Sequence, residues 1–185
     1  MNKKLENISR KLSKILRHDP HPLKMDDKGW VKTADLCEHF SISIEELTEI
    51  VDTNDKKRFV MDESKNSIRA AQGHSAGVAE NKEYARVTAM QTELELYHGT
   101  DNVSAVSIHR TTIVPGKRQF VHWTANIETA KKRARHTAFH GKSDPVIVVL
   151  KARSYIHGGG KLLMAENEVY LTPEIDGKIL EYRPI

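Results

Sequence analysis

Apolar residues recur at three- and four-residue steps near the start of the chain, at Leu5, Ile8, Leu12, Ile15 and Leu16. Lys4, Arg10, Lys11 and Lys14 fill the positions between them. That spacing predicts an amphipathic helix. Asp19-Pro20 and His21-Pro22 end it, because proline cannot continue the hydrogen-bond ladder. Arg17 and His18 then fall at the helix C-terminus, where the macrodipole favours cations. The string Asp27-Lys28-Gly29-Trp30-Val31 reads as a turn entering a short strand, and Thr33 as the cap of a helix starting near Ala34. Ser43 and Glu46 have the spacing of a capping box for a helix over 44–51. Residues 57–61 and 67–70 read as strands joined by the polar turn 62–66.

Helix, strand, helix, helix and hairpin, in that order, make a winged-helix arrangement, which presents a helix and a wing to nucleic acid. Residues 72–83 are polar and rich in glycine and alanine, and read as a link between two lobes. Beyond them short strands alternate with one helix. A strand passing into a turn is expected at 95–100, a strand at 120–124, a helix at 127–138, and a β-branched run suited to a sheet centre at 145–150. Residues 169–171 and 179–182 complete a β-rich lobe. The expected fold class is therefore α+β, with a first lobe over residues 1–78 and a second over 79–185.

Composition narrows the partners. With 38% hydrophobic and 29% charged residues the chain is expected to be a globular protein of modest core. No apolar run approaches the ~20 residues of a membrane helix, and the charged N-terminal segment is unlike a secretory signal. A single cysteine, Cys37, leaves no intramolecular disulfide or multi-cysteine metal cluster, and fits a reducing, cytoplasmic location. Beside Leu36, Cys37 reads as a small hydrophobe. A net charge of +4 and a pI near 9.1 point to an anionic partner. Cations cluster around Arg10, Lys56 and Lys131, either as a phosphate-backbone footprint or as an ordinary solvated basic surface. Aromatic residues make up only 6%, too few for a broad base-stacking platform.

The familiar phosphate-loop, dinucleotide, nucleophile-elbow and zinc-helix motifs are absent from the sequence. His136 and His140 lie four apart with no third ligand marked, so no metal site is expected, and Gly158-Gly159-Gly160 reads as a turn. Arginines and histidines instead stand in short strings: Leu16-Arg17-His18, then Gly29-Trp30-Val31, then Arg69-Ala70-Ala71-Gln72-Gly73-His74-Ser75. Tyr97-His98-Gly99-Thr100, Arg118-Gln119-Phe120-Val121-His122 and Asn167-Glu168-Val169-Tyr170-Leu171-Thr172 follow. In this order the strings resemble those of the RNA 2′-phosphotransferase family, and they span nearly the whole chain.

The resemblance implies a winged helix packed on an ADP-ribosyltransferase-like lobe, and NAD consumed as a substrate. Its activity would move an internal RNA 2′-phosphate to ADP-ribose, in RNA processing such as tRNA splicing, with no membrane and no protein partner inferred. Matched string to string, the tetrad that handles the 2′-phosphate falls on Arg17, His18, Arg69 and Arg118, the first three in the first lobe. Gln72, His74, Ser75, His98, Gly99 and Thr100 would belong to the NAD site. The chain departs from the family pattern at Phe120, where a histidine is usual, and at Trp123-Thr124-Ala125-Asn126, which replaces L-S-x-D. Ala71 stands where asparagine is common.

The residue types suit that chemistry. A dianionic phosphate monoester calls for planar, permanently charged donors, which arginine supplies as a bidentate fork. Histidine can take and return a proton near neutral pH. Simpler roles remain open beside these: Arg17 and His18 as helix-end cations, Arg69 paired with Glu63, Arg118 as a loop cation, His98 in a turn, His74 and Ser75 solvated in the link. Two other functions are open as well, an ADP-ribosyltransferase acting on terminal nucleic-acid phosphates and a non-catalytic winged-helix RNA binder.

Overall fold

Leu5, Ile8, Leu12 and Leu16 all lie buried along one side of helix α1 (Lys3–Ile15) and the turn that follows it. The computed structural model describes residues 3–185. Two units divide the chain: one runs to Glu83 and takes in Lys117–Gln119, and the other comprises Tyr84–Gly116 and Phe120–Ile185. The protein is a mixed α and β fold, consistent with α+β, with six α-helices and several antiparallel sheets among the described residues.

In the first unit α1 is followed by β1 (Val31–Lys32), α2 (Thr33–Phe40), α3 (Ile44–Asp52), β2 (Phe59–Met61) and β3 (Ser67–Ala70). The three strands form one antiparallel sheet in the order β1-β3-β2. Leu12, Leu16, Leu36, Leu47, Ile50 and Ile68 meet in its core with essentially no exposed surface. Cys37 packs against this core while keeping some exposure, and burial raises its thiol pKa. The capping box forms as the spacing predicts: Glu46 N–H donates to Ser43 Oγ at 3.2 Å and Ser43 N–H to Glu46 Oε2 at 3.0 Å. Thr33 does not cap. It is the first residue of α2, and its hydroxyl donates instead to the Lys65 carbonyl at 2.8 Å, tying α2 to the turn between β2 and β3.

Residues 72–83, read as a link, are partly packed. His74, Ala79 and Lys82 are buried, and Asn81 donates twice to Asp27, from its backbone N–H to the carbonyl and from its side chain to the carboxylate, both at 2.9 Å. Glycine and alanine keep this segment thin enough to lie flat on its own unit.

The second unit holds β4 (Ala85–Val87), β5 (Glu95–Asp101), α4 (Asn102–Arg110), β6 (Thr112–Ile113), β7 (Val121–Trp123) and α5 (Ile127–Gly141). Then come β8 (Pro145–Lys151), α6 (Ala152–His157), β9 (Leu162–Met164), β10 (Tyr170–Thr172), β11 (Ile175–Asp176) and β12 (Glu181–Pro184). One sheet runs β12-β8-β5, a second β4-β9-β10-β7, and β11 pairs with β6. As its composition predicts, β8 is central and buried. Arg183 on β12 reaches past β8 to Glu95 on β5 with bonds of 2.8 and 2.6 Å, and with Tyr97 holds the Glu95 carboxyl down to about 2. One helix was expected here and three are present. α4 and α6 are short and carry few buried residues, so their apolar period is too weak to stand out in the sequence.

Trp123 Nε1 donates to Thr172 Oγ1 at 2.9 Å, and both residues are almost wholly buried. Thr172→Val keeps the shape but strands a buried indole N–H, which costs about 1–3 kcal/mol. Urea unfolding should show that loss, with Thr172→Ser much closer to the parent; equal stability of all three would mean the bond contributes nothing.

Candidate active site

The C-terminal turn of α1 organises the first unit's polar cluster. His18 N–H donates to the Lys14 carbonyl at 2.9 Å, so the helical phase carries on to His18 and brings Lys14 to the same side. The returning segment docks there. Ser75 N–H donates to the Arg17 carbonyl at 2.9 Å, and Ser75 Oγ lies 2.9 Å from His18 Nδ1. Gly73 makes the bend with φ +90°, and its backbone lies against the Arg17 guanidinium, Nε being 3.5 Å from where a Cβ would stand. At that φ any other residue is strained.

Arg118 joins by backbone pairing. It forms an antiparallel bridge with Ser75, flanked by Gln119 N–H to the His74 carbonyl and Ala76 N–H to the Lys117 carbonyl, both 3.3 Å. The Gln119 side-chain amide adds a 2.8 Å bond to the Val78 carbonyl. Arg118 therefore groups with the first unit, whereas its place in the sequence suggested the second lobe. A β-bridge between residues more than forty apart leaves no trace in local sequence.

Arg69, on β3, lays its guanidinium 4.3 Å from the centre of the Trp30 ring, a cation–π contact, instead of meeting Glu63. Trp30 is thereby a platform as well as a partly buried anchor. Gly29, φ +88°, lets this corner close: a Cβ there would stand 3.0 Å from Ala79 Cβ, 3.4 Å from His74 Nε2 and 4.0 Å from Arg69 Cβ. Arg69 thus neighbours buried His74 through Gly29, and Arg17, His18 and Arg118 meet the 73–75 bend at Gly73 and Ser75. Gln72 is half-buried just before that bend.

Burial, and then the charges of Arg17, Arg118 and Lys14, hold the His18 imidazole below its ordinary value. These three neighbouring charges are all cationic. Such a cluster is chemically prepared for an anion, and its histidine is neutral and able to accept a proton at pH 7. Lys14, which the sequence groups with Arg17 in one cationic cluster, acts on His18 from its position four residues earlier.

In the second unit His98, Gly99 and Thr100 lie on β5, paired with Val148, Ile147 and Val146 of β8. His98 Nδ1 is 3.0 Å from the His122 carbonyl, and its ring meets Trp123 edge-on at 5.8 Å. A carbonyl only accepts, so Nδ1 carries the proton and Nε2 of the neutral ring is an acceptor. Gly99 has a packing reason: a Cβ would fall 2.1 Å from the Ala130 carbonyl oxygen and 2.7 Å from Ala134 N, so α5 lies directly on the strand. Thr100 is buried beside it.

The departures from the family pattern have structural occupations. Asn126 caps α5, its Oδ1 accepting from Thr129 N–H at 3.1 Å, as an aspartate there would, but without charge. Phe120 packs edge-on against Tyr84 at 5.6 Å, beside the apolar cluster of Leu163, Ala165 and Leu171. Ala71 is fully buried. Among the described residues no group of three or more histidine, cysteine or acidic side chains is arranged to hold a metal ion.

A family model described as "RNA 2'-phosphotransferase, Tpt1 / KptA family" matches residues 3–174. The chain belongs to the RNA 2′-phosphotransferase family. Proteins named probable RNA 2′-phosphotransferase are similar over almost their full length. That of Hahella chejuensis is 36% identical, covering 97% of this chain and 95% of its own. That of Flavobacterium johnsoniae is 35% identical with 96% of each covered, and that of Fusobacterium nucleatum 37% identical with 95% and 97% covered. This membership makes the protein a transferase whose family acts on RNA. Among the described residues no helix is long and apolar enough to cross a membrane.

His18 should therefore titrate below the ordinary histidine value of ~6.5. Because the unfolded chain takes up the proton first on acidification, the stability owed to neutral His18 is full above ~6.5 and falls as pH drops from there toward the folded value. NMR of the imidazole signals checks this, and Arg118→Gln should raise the midpoint. A midpoint at or above the ordinary value, unmoved by that substitution, would contradict the arrangement.

Proposed function

We propose that the protein removes an internal 2′-phosphate from RNA at the expense of NAD, giving an RNA 2′-hydroxyl, ADP-ribose 1″,2″-cyclic phosphate and nicotinamide. The observation that carries this reading is the gathering of Arg17, His18 and Arg118 around the 73–75 bend, with Arg69 next to it, in a chain of this family. The first unit has the element order of a winged helix, and the second is read as an ADP-ribosyltransferase-like lobe.

Arg17, Arg69 and Arg118 would hold the 2′-phosphate, each offering planar donors to a dianion. NAD, consumed as a substrate, supplies an anomeric carbon that a phosphate oxygen can bond as nicotinamide leaves, and a 2″-hydroxyl that then bonds phosphorus as the RNA 2′ oxygen departs. His98 Nε2 suits a ribose hydroxyl as acceptor, and Gly99, by admitting α5 against β5, fixes the strand that carries it. Gln72, His74 and Ser75 fit less directly: Ser75 is engaged with His18, which makes it a positioning residue for the imidazole.

The second displacement needs one proton removed from the 2″-hydroxyl and one delivered to the departing 2′ oxygen. His18, starting neutral, can take the first and return it as the second, so nothing is left unbalanced. Depression of its pKa is relieved as the phosphate's negative charge arrives, which strengthens it as a base when substrate is bound. The arginines oppose the charge that gathers on phosphorus oxygens in the transition state.

The test supplies the protein with NAD and a short RNA carrying one labelled internal 2′-phosphate. Label should appear in ADP-ribose cyclic phosphate, with Arg69→Ala reducing turnover by about 10²–10³-fold and Arg69→Lys only partly restoring it. ADP-ribose stably joined to RNA would favour a transferase acting on phosphates without the second displacement. RNA binding without NAD consumption would leave a non-catalytic binder.

A further inference from the structure

Helix α5 carries a second cationic surface that the proposed reaction does not use. Its inward face is Ala130, Ala134 and Ala138, all buried, the first two under Gly99. On the opposite arc Lys132, Arg135, His136 and Phe139 follow one another at steps of three, one and three, and all are exposed. Over residues 129–143 the chain has Lys131, Lys132, Arg133, Arg135 and Lys142 and no acidic residue. Lys131 is paired with Glu128 at 2.7 Å, which leaves the outward face to the other cations. Phe139 is 80% exposed in their midst, beside the His136–His140 ring pair with centroids 4.5 Å apart.

Helix stability does not account for this face. Like charges four apart, such as Lys131 and Arg135, work against the helix, and a ring this exposed adds nothing to the core. Nor is it a membrane-surface helix, because its continuous apolar stripe is the buried alanine face and its outward face has one aromatic among cations.

We infer that the outward face of α5 binds single-stranded RNA, Lys132 and Arg135 taking backbone phosphates and Phe139 stacking under an unpaired base. Resting on the RNA chemistry proposed above, this assigns the second unit a contact with a part of the substrate other than the 2′-phosphate. Phosphate contacts of this kind supply affinity without sequence preference, and an aromatic face accepts any base.

Fluorescence anisotropy of the full chain, with an unstructured RNA of about 20 nucleotides and with the matching duplex, tests the inference. Lys132→Glu/Arg135→Glu should weaken single-strand binding about ten-fold or more and flatten the salt dependence by a slope of about 1.4, the release expected for two phosphates. Phe139→Ala should weaken the single strand about five-fold or more and leave the duplex unchanged. Both variants should keep the parental melting temperature and the parental turnover of a trinucleotide substrate. Parental single-strand affinity and salt slope in both variants would overturn the inference, as would loss of binding to anionic phospholipid vesicles with RNA binding intact. Lost RNA affinity in a protein that releases no cyclic phosphate would sink the proposed reaction and leave this surface standing.

Discussion

The two hydrogen bonds that Ser75 makes to the end of α1 hold the first unit's polar cluster in place. One fixes the backbone of the 73–75 bend to the Arg17 carbonyl, which the helix itself leaves without an intrahelical partner, and the other fixes the His18 ring. Once that bend is docked, its outer edge offers the pairing that brings in Arg118, and its inner edge carries His74 against Gly29. Backbone bonds and stacking thus help to gather cations that repel one another. The consequence is visible in His18, whose proton is disfavoured by burial and by the charges of Arg17, Arg118 and Lys14. An anion would reverse that balance, which is the physical link between this cluster and the phosphate substrate proposed for it.

In the second unit the governing constraint is steric. α5 lies so close to β5 that only glycine fits at position 99 and only alanines face it across the contact. Close packing of this kind fixes the strand carrying His98, while the His122 carbonyl sets its tautomer. The positions where this chain departs from its family are occupied by groups that serve the same scaffold: an asparagine cap, a phenylalanine in an apolar cluster and a tryptophan bonded to a buried threonine. What changes is charge, since the cap is now an amide.

Much of the first unit could be read locally. The spacing of Leu5, Ile8, Leu12 and Leu16 is the helix, Ser43 with Glu46 is the capping box, and the 57–61 and 67–70 runs are the hairpin, because each signal is contained within a turn or two of chain. The strings of arginine and histidine were legible too, and with them the family. Thr33 was misread because a hydroxyl at a helix start has two possible partners, and the nearby Lys65 carbonyl won over the helix N–H groups. The burial of His74 within 72–83 was not legible because small polar composition marks a loop whether or not that loop is packed.

The sequence by itself determined the elements with a clear period, the basic character of the chain and the chemical types available for a site, since these depend on neighbours within a few residues. Only the tertiary structure decided that Arg118 stands with Arg17 and His18, that Arg69 stacks on Trp30 rather than pairing with Glu63, and that His74 is buried. It also decided that Gly99 answers to a helix thirty residues further on. Those outcomes rest on pairing and packing between distant segments, where the energy lies in contacts that no local window of sequence contains.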